Sequence, residues 1–157
     1  MFEFAYRLTG PGWSEARIAD EHGDAIVTAS YLSDALRCLV EAVAVVVEGV
    51  PEARCSWDEE PGEYRWILRR AGDHLQIEIR AYDDLWGDQP DEQGRLVFST
   101  RQDPLRVARA ILSAVQELLD DLGAADYERR WVEHPFPSDA LGRLRRAVRS
   151  TRAADGS

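Results

Sequence analysis

The strongest constraint on the fold is a pair of adjacent segments in which apolar and polar residues alternate. The segments cover residues 63–70 and 74–82. Alternation with a period of two indicates strands with one buried face. The apolar positions are Tyr64, Trp66, Leu68, Leu75, Ile77 and Ile79. The short connection predicts a hairpin with Leu68 opposite Leu75 and Arg65 opposite Glu78, because a register shifted by one residue would place the apolar stripe against polar side chains.

The remaining elements follow from hydrophobic periodicity and from turn and capping residues. Strands are expected at residues 2–8, 13–20, 25–29, 53–57 and 95–100. Helices are expected from Ser30 to Gly49, from Asp103 to Gly123, over residues 124–133, and from Ser138 onward. The order ββ(β)-α-ββββ-ααα predicts an α+β fold in which helices pack on one face of an antiparallel β meander. We expect residues 1–150 to form a single domain and residues 151–157 a disordered tail. The N-terminal strands could join either edge of the sheet.

The charge balance excludes several classes of function. The chain has 29 acidic and 19 basic residues and a net charge of -10. Nucleic acids and anionic membranes attract basic surfaces, so we expect no nucleic acid and no membrane among the partners. The longest apolar run, Ala42–Val47, is far shorter than a membrane span. We therefore expect a cytoplasmic protein.

No sequence pattern assigns catalysis, a cofactor or a metal. The chain holds no nucleophile elbow, phosphate-binding loop or zinc-protease motif. The histidines are scattered, and Cys38 and Cys55 fit buried apolar positions. We expect neither a cofactor nor a resident metal, and we favour a non-catalytic role.

Acidic residues concentrate in two connections of the meander, residues 58–62 and 83–94. Alternate connections of an antiparallel meander return to the same end of the sheet, so we expect these two to be neighbours. The candidate partner-binding residues are Trp57, Asp58, Glu59, Glu60, Asp83, Asp84, Trp86 and Asp88. Clustered carboxylates attract a basic partner, and tryptophans supply buried contacts. Two other interpretations stay open: solvated loops that keep the protein soluble, and a hard-cation site, although the spacing does not match an EF-hand.

Three segments resemble a family of small acidic α+β proteins from GC-rich bacteria. They are residues 57–66 (WDEEPGEYRW), 31–36 (YLSDAL) and 131–137 (WVEHPFP). The resemblance covers most of residues 1–150 and brings no catalytic residue with it, because the family has no established activity. More loosely, the chain is similar in size, acidity and architecture to immunity proteins that neutralise bacterial toxins, which implies a protein partner.

The favoured hypothesis is a non-catalytic domain that binds a basic protein, in its most specific form an immunity-type neutraliser. One alternative is a small-ligand-binding protein or an enzyme with a pocket between the sheet and the helices. Another is a homodimeric scaffold that uses an open sheet face or edge.

Overall fold

The computed structural model describes residues 1–84, 89–132 and 134–155. It confirms the α+β class, the antiparallel strands and the predicted order of elements. The strands are β1 (Phe2–Gly10), β2 (Trp13–Asp20), β3 (Gly23–Ser30), β4 (Glu52–Asp58), β5 (Glu63–Ala71), β6 (His74–Tyr82) and β7 (Arg95–Gln102). The helices are α1 (Ala35–Val47), α2 (Pro104–Leu122), α3 (Ala124–Trp131) and α4 (Ser138–Asp155), with a short 3-10 helix at Asp91–Gln93. None of the helices in these described ranges is long and apolar enough to cross a membrane.

The N-terminal strands form a sheet of their own rather than extending the meander. Strands β1, β2 and β3 make a three-stranded sheet, and β4 to β7 make a four-stranded one. The Gln102 side chain of β7 donates a hydrogen bond to the Met1 carbonyl at 3.0 Å. Further along β1, the rings of Phe4 and Trp66 lie 6.3 Å apart, edge to face. Strand β1 therefore crosses the larger sheet, and the core lies between the two sheets and the helices.

The β5–β6 hairpin keeps its predicted buried face, but its register differs from the prediction by two residues. Leu68 lies opposite Ile77 and Trp66 opposite Ile79. The turn contains Gly72 and Asp73, and Gly72 has a φ of 64°. A two-residue turn of this kind favours glycine at a positive φ, which centres the hairpin one residue later than we predicted. A shift of two residues preserves side-chain parity, so the same residues stay inward.

The register also changes the charge pairing on the outer face. Arg65 lies opposite Arg80, not opposite Glu78. Each arginine pairs instead with a carboxylate on its own strand: Arg65 with Glu63 at 3.2 Å and Arg80 with Glu78 at 3.0 Å. These same-strand pairs offset the repulsion between the two facing guanidinium groups.

Two helix ends differ from their predicted positions. Helix α1 begins at Ala35 rather than after Ser30, because Ser30 still pairs with Trp13 as the last residue of β3. The Ser30 hydroxyl donates to the Asp58 carbonyl at 3.1 Å. Helix α4 continues to Asp155, into the segment predicted as a tail. The Thr151 hydroxyl donates to the Ala147 carbonyl at 3.0 Å within this last part of α4.

Helix α2 begins with a side-chain cap that can be tested directly. The Asp103 carboxylate accepts a hydrogen bond from the Leu105 N–H at 3.0 Å, and Pro104 occupies the first helical position. We expect Asp103→Ala to lower the free energy of unfolding by about 1 kcal/mol, because a helix-end N–H loses its partner. Urea denaturation measures the change, with Glu117→Ala on the exposed face of α2 as the control. Equal stability of both variants would contradict a capping role for Asp103.

Candidate protein-binding surface

The two acidic connections lie side by side at one end of the four-stranded sheet. Glu63, at the start of β5, pairs with Tyr82, at the end of β6. A Cβ atom added at Gly62 would lie 3.0 Å from the Tyr82 carbonyl oxygen and 3.7 Å from that of Asp83. The loop before β5 and the segment after β6 are therefore in close contact, as the topology of a meander requires.

Five of the predicted partner-binding residues form what we call the acidic rim: Asp58, Glu59, Glu60, Asp83 and Asp84. The side chains of Glu60, Asp83 and Asp84 are exposed, and those of Asp58 and Glu59 are half-buried. Over the part of the chain that the structure describes, Glu60, Asp83 and Asp84 form no ion pair. Within the described ranges, Glu60, Asp83 and Asp84 thus present negative charge that no arginine of the chain pairs with.

The first half of the acidic rim is held in place from several sides. The Asp58 N–H donates to the Ser33 hydroxyl at 3.0 Å. The Glu59 N–H donates to the Gly62 carbonyl at 2.8 Å, and the Thr28 hydroxyl of β3 donates to the Glu59 carboxylate. These bonds fix the loop before any partner arrives, which lowers the ordering cost of binding.

Tyr64 borders the acidic rim and was not among the predicted partner-binding residues. Its side chain is half-buried. Burial raises the pKa of Tyr64, the nearby Glu59 carboxylate raises it further, and Arg95 acts in the opposite direction. Tyr64 therefore combines a ring and a polar tip beside the carboxylates, a combination that is common at protein interfaces.

Trp57 lies in the core rather than on the surface. Its side chain is 0% exposed. The indole N–H donates to the Ala35 carbonyl at 2.9 Å, and the ring lies 5.1 Å from that of Trp66. Trp57 is therefore not part of the acidic rim. The other two predicted residues, Trp86 and Asp88, lie outside the described residues.

A second group of charges near the acidic rim is fully paired within the chain. The Asp91 carboxylate accepts hydrogen bonds from Arg54, from Arg65 at 3.0 Å and from Arg69 at 3.3 Å. We call these four residues the Asp91 network. Hydrogen bonds from Arg54, followed by those from Arg65, lower the pKa of Asp91 to about 2 against the opposing effect of burial.

The Asp91 network holds the segment after β6 against the outer face of the four-stranded sheet. Arg65 also donates to the Gln89 carbonyl at 2.8 Å, and the Tyr82 hydroxyl donates to the Asp91 carbonyl at 2.9 Å. The Arg65 guanidinium lies 4.2 Å from the centre of the Tyr82 ring. Sequence reasoning missed this network, although the positions of Arg54 on β4 and of Arg65 and Arg69 on β5, all opposite to the apolar face, could have indicated a shared acceptor.

A surface cavity of about 430 Å³ lies where the end of α1 meets the β5–β6 turn and the start of α2. Its polar lining includes Arg70 and His74. Arg70 donates to the Val46 carbonyl at 3.3 Å, and His74 lies 3.4 Å from the Asp73 carboxylate. These groups are thus engaged with neighbouring groups of the chain. Among the described residues, no three histidine, cysteine or acidic side chains are placed to hold a metal ion.

No protein-family model matches the chain, and no curated protein matches it. Among solved structures, the chain is similar to a chain of the CdiA-CT/CdiI toxin and immunity complex from Enterobacter cloacae. The similarity covers 74% of this chain and 99% of the other, at 7% sequence identity and a TM-score of 0.48.

Proposed function

We propose that this protein binds a basic protein partner and that the acidic rim is the centre of the contact surface. The observation that supports the proposal best is the contrast between two sets of carboxylates in one part of the molecule. Arginines of the chain neutralise Glu63 and Asp91. Within the described ranges, Glu60, Asp83 and Asp84 are exposed and have no such partner.

The local construction of the acidic rim also supports binding. A hydrogen bond from the Asp58 N–H to the Ser33 hydroxyl and one from the Thr28 hydroxyl to the Glu59 carboxylate hold the loop that carries Glu59 and Glu60. A preorganised loop loses little conformational entropy when a partner docks. The exposed carboxylates of Glu60, Asp83 and Asp84 can steer a basic partner over a range of about 8 Å at physiological ionic strength, so association should slow as salt is added.

The proposal predicts the effect of reversing three charges in the acidic rim. We expect the triple variant Glu60→Arg, Asp83→Arg and Asp84→Arg to lose a partner that the wild-type protein captures from a native cell extract. The rate of association with that partner, once purified, should fall by about tenfold or more at low salt. Affinity capture with mass spectrometry identifies the partner, and surface plasmon resonance measures the rate.

A matched control separates the acidic rim from net charge. The variant Glu117→Arg, Asp121→Arg and Glu128→Arg changes three exposed acids on α2 and α3 and gives the same net charge. It should capture the partner as the wild type does, and both triple variants should keep the wild-type melting temperature to within a few degrees. Capture that survives in the rim variant, or that is lost equally in both, would contradict the proposal.

The more specific form of the proposal is an immunity-type role, in which the partner is a basic toxin domain. Binding through unpaired carboxylates can cover a cationic active site or a cationic substrate groove on such a toxin. Co-expression with the captured partner tests this form. The wild-type protein should restore the growth of cells that the partner inhibits, and the rim variant should not. If the captured partner does not inhibit growth, the immunity-type role is contradicted, whereas the proposed binding role is not.

A further inference from the structure

The two cysteines of the chain lie on elements that run antiparallel and pack together. Helix α1 is followed by a tight turn and then by β4. The hydrogen bond between the Trp57 indole and the Ala35 carbonyl, 2.9 Å long, fixes the alignment of these two elements. Cys38 lies nearly one helical turn after Ala35, and Cys55 lies two residues before Trp57 on the same face of the strand. The alignment therefore brings Cys38 and Cys55 to the same level of the α1–β4 interface.

The two thiols are close enough that each shifts the pKa of the other, and they differ in their environments. Cys38 is half-buried and Cys55 is buried. A hydrogen bond from Cys55 lowers the pKa of Cys38, although burial and the carboxylates of Asp34, Glu41 and Asp58 oppose this effect. Burial raises the pKa of Cys55, and the hydrogen bond with Cys38 raises it further. The more accessible thiol is thus the one that ionises more readily, and the thiolate is the form that reacts with an oxidant.

We propose that Cys38 and Cys55 form a redox-sensitive pair that a hydroperoxide converts into a disulfide between α1 and β4. The Cys38 thiolate attacks the peroxide, the O–O bond breaks, and Cys38 becomes a sulfenic acid while the departing oxygen takes up a proton. The Cys55 sulfur then attacks the Cys38 sulfur, and the S–O bond breaks. The proton of Cys55 leaves with the hydroxide as water. Two electrons pass from the two sulfurs to the peroxide.

Peptide mapping can detect this disulfide because of where the arginines lie. Trypsin cleaves after Arg37, Arg54 and Arg65, so the cysteines fall in the separate peptides 38–54 and 55–65. After treatment of the native protein with hydrogen peroxide, we expect a monomer that has lost both free thiols and two hydrogens. Its non-reducing digest should contain the two peptides joined, and a thiol reductant should separate them.

Single variants test the order of the steps. In Cys55→Ala, which keeps a small apolar group in the core, Cys38 should stop at the sulfenic acid and react with dimedone. In Cys38→Ser, Cys55 should stay reduced as long as the protein is folded. Circular dichroism and cooperative thermal unfolding show which variants are native.

Several results would overturn the proposal. One is that the native wild-type protein keeps both free thiols in hydrogen peroxide while the urea-unfolded chain is oxidised. Another is a product in which Cys38 is oxidised without the joined peptides, or in which two chains are linked. A third is Cys38→Ser reacting as fast as the wild type, since Cys38 would then not be the thiol that reacts first.

Discussion

Replacing Trp57 by alanine is expected to lower the free energy of unfolding by about 3–5 kcal/mol, the cost of removing a large aromatic side chain from a packed core. The Trp57 ring is 0% exposed and packs against the rings of Tyr6 and Trp66 at 5.9 and 5.1 Å. The substitution also leaves the Ala35 carbonyl without its indole donor. Because domains of this size are stabilised by only about 5–15 kcal/mol, the variant should be close to unfolding at 37 °C.

Urea denaturation of Trp57→Ala beside Trp13→Ala measures this effect. Trp13 is half-buried, so its removal should cost less. Trp57→Phe, which restores most of the ring, should recover the greater part of the loss. The result also decides what Trp57 does. If Trp57→Ala keeps the wild-type stability but no longer captures the partner, Trp57 acts in the binding surface and its assignment to the core is wrong.

The Asp91 network gives the second large effect. Asp91→Asn should lower the free energy of unfolding by about 2 kcal/mol at pH 7, between the cost of breaking a buried ion pair and that of an exposed one. Arg65 explains this intermediate cost. Its side chain is only 11% exposed, so the loss of the Asp91 charge is costly, but Glu63 remains as an ion-pair partner and limits the effect. Glu92→Gln, the matched control on the neighbouring exposed residue, should have little effect.

The same network predicts a dependence of stability on pH. The pKa of Asp91 is about 2 in the folded protein, below its value in an unfolded chain, about 3.9. Its contribution to stability is therefore complete above about pH 4 and is lost as the pH falls toward 2. Urea denaturation at several pH values should show a smaller acid-induced loss for Asp91→Asn than for the wild type. Equal losses would show that Asp91 does not stabilise the fold through its charge.

The sequence predicts the larger sheet well because alternation reports which face of a strand is buried. It cannot separate registers that differ by two residues, since both leave Leu68 and Ile77 inward; the backbone of Gly72 decides between them. Alternation with Cys55 would also have placed Trp57 inward. Its position beside the acids of the rim suggested a surface role instead.

The candidate surface is predictable only as far as chain topology determines it. The neighbouring positions of the loop before β5 and the segment after β6 follow from strand order alone. The pairing of Asp91 with arginines from two strands does not, because it depends on the path of a segment without periodicity. The hydrogen bond from Thr28 to Glu59 links the three-stranded sheet to the loop between β4 and β5, and no local pattern indicates it.

The hydrogen bond from Thr28 to Glu59 has a consequence for any molecule that binds the acidic rim. Thr28 and Ser30 belong to β3. Thr28 donates to Glu59 in the loop that follows β4, and Ser30 donates to the carbonyl of Asp58, the last residue of β4. A ligand that occupies the loop in this conformation also opposes the undocking of the three-stranded sheet, because undocking breaks both bonds. By mass action, the free energy of binding this ligand adds to the free energy needed to separate the two sheets. Occupancy at one end of the molecule would then slow the opening of amides in β2 and β3 that the ligand never touches.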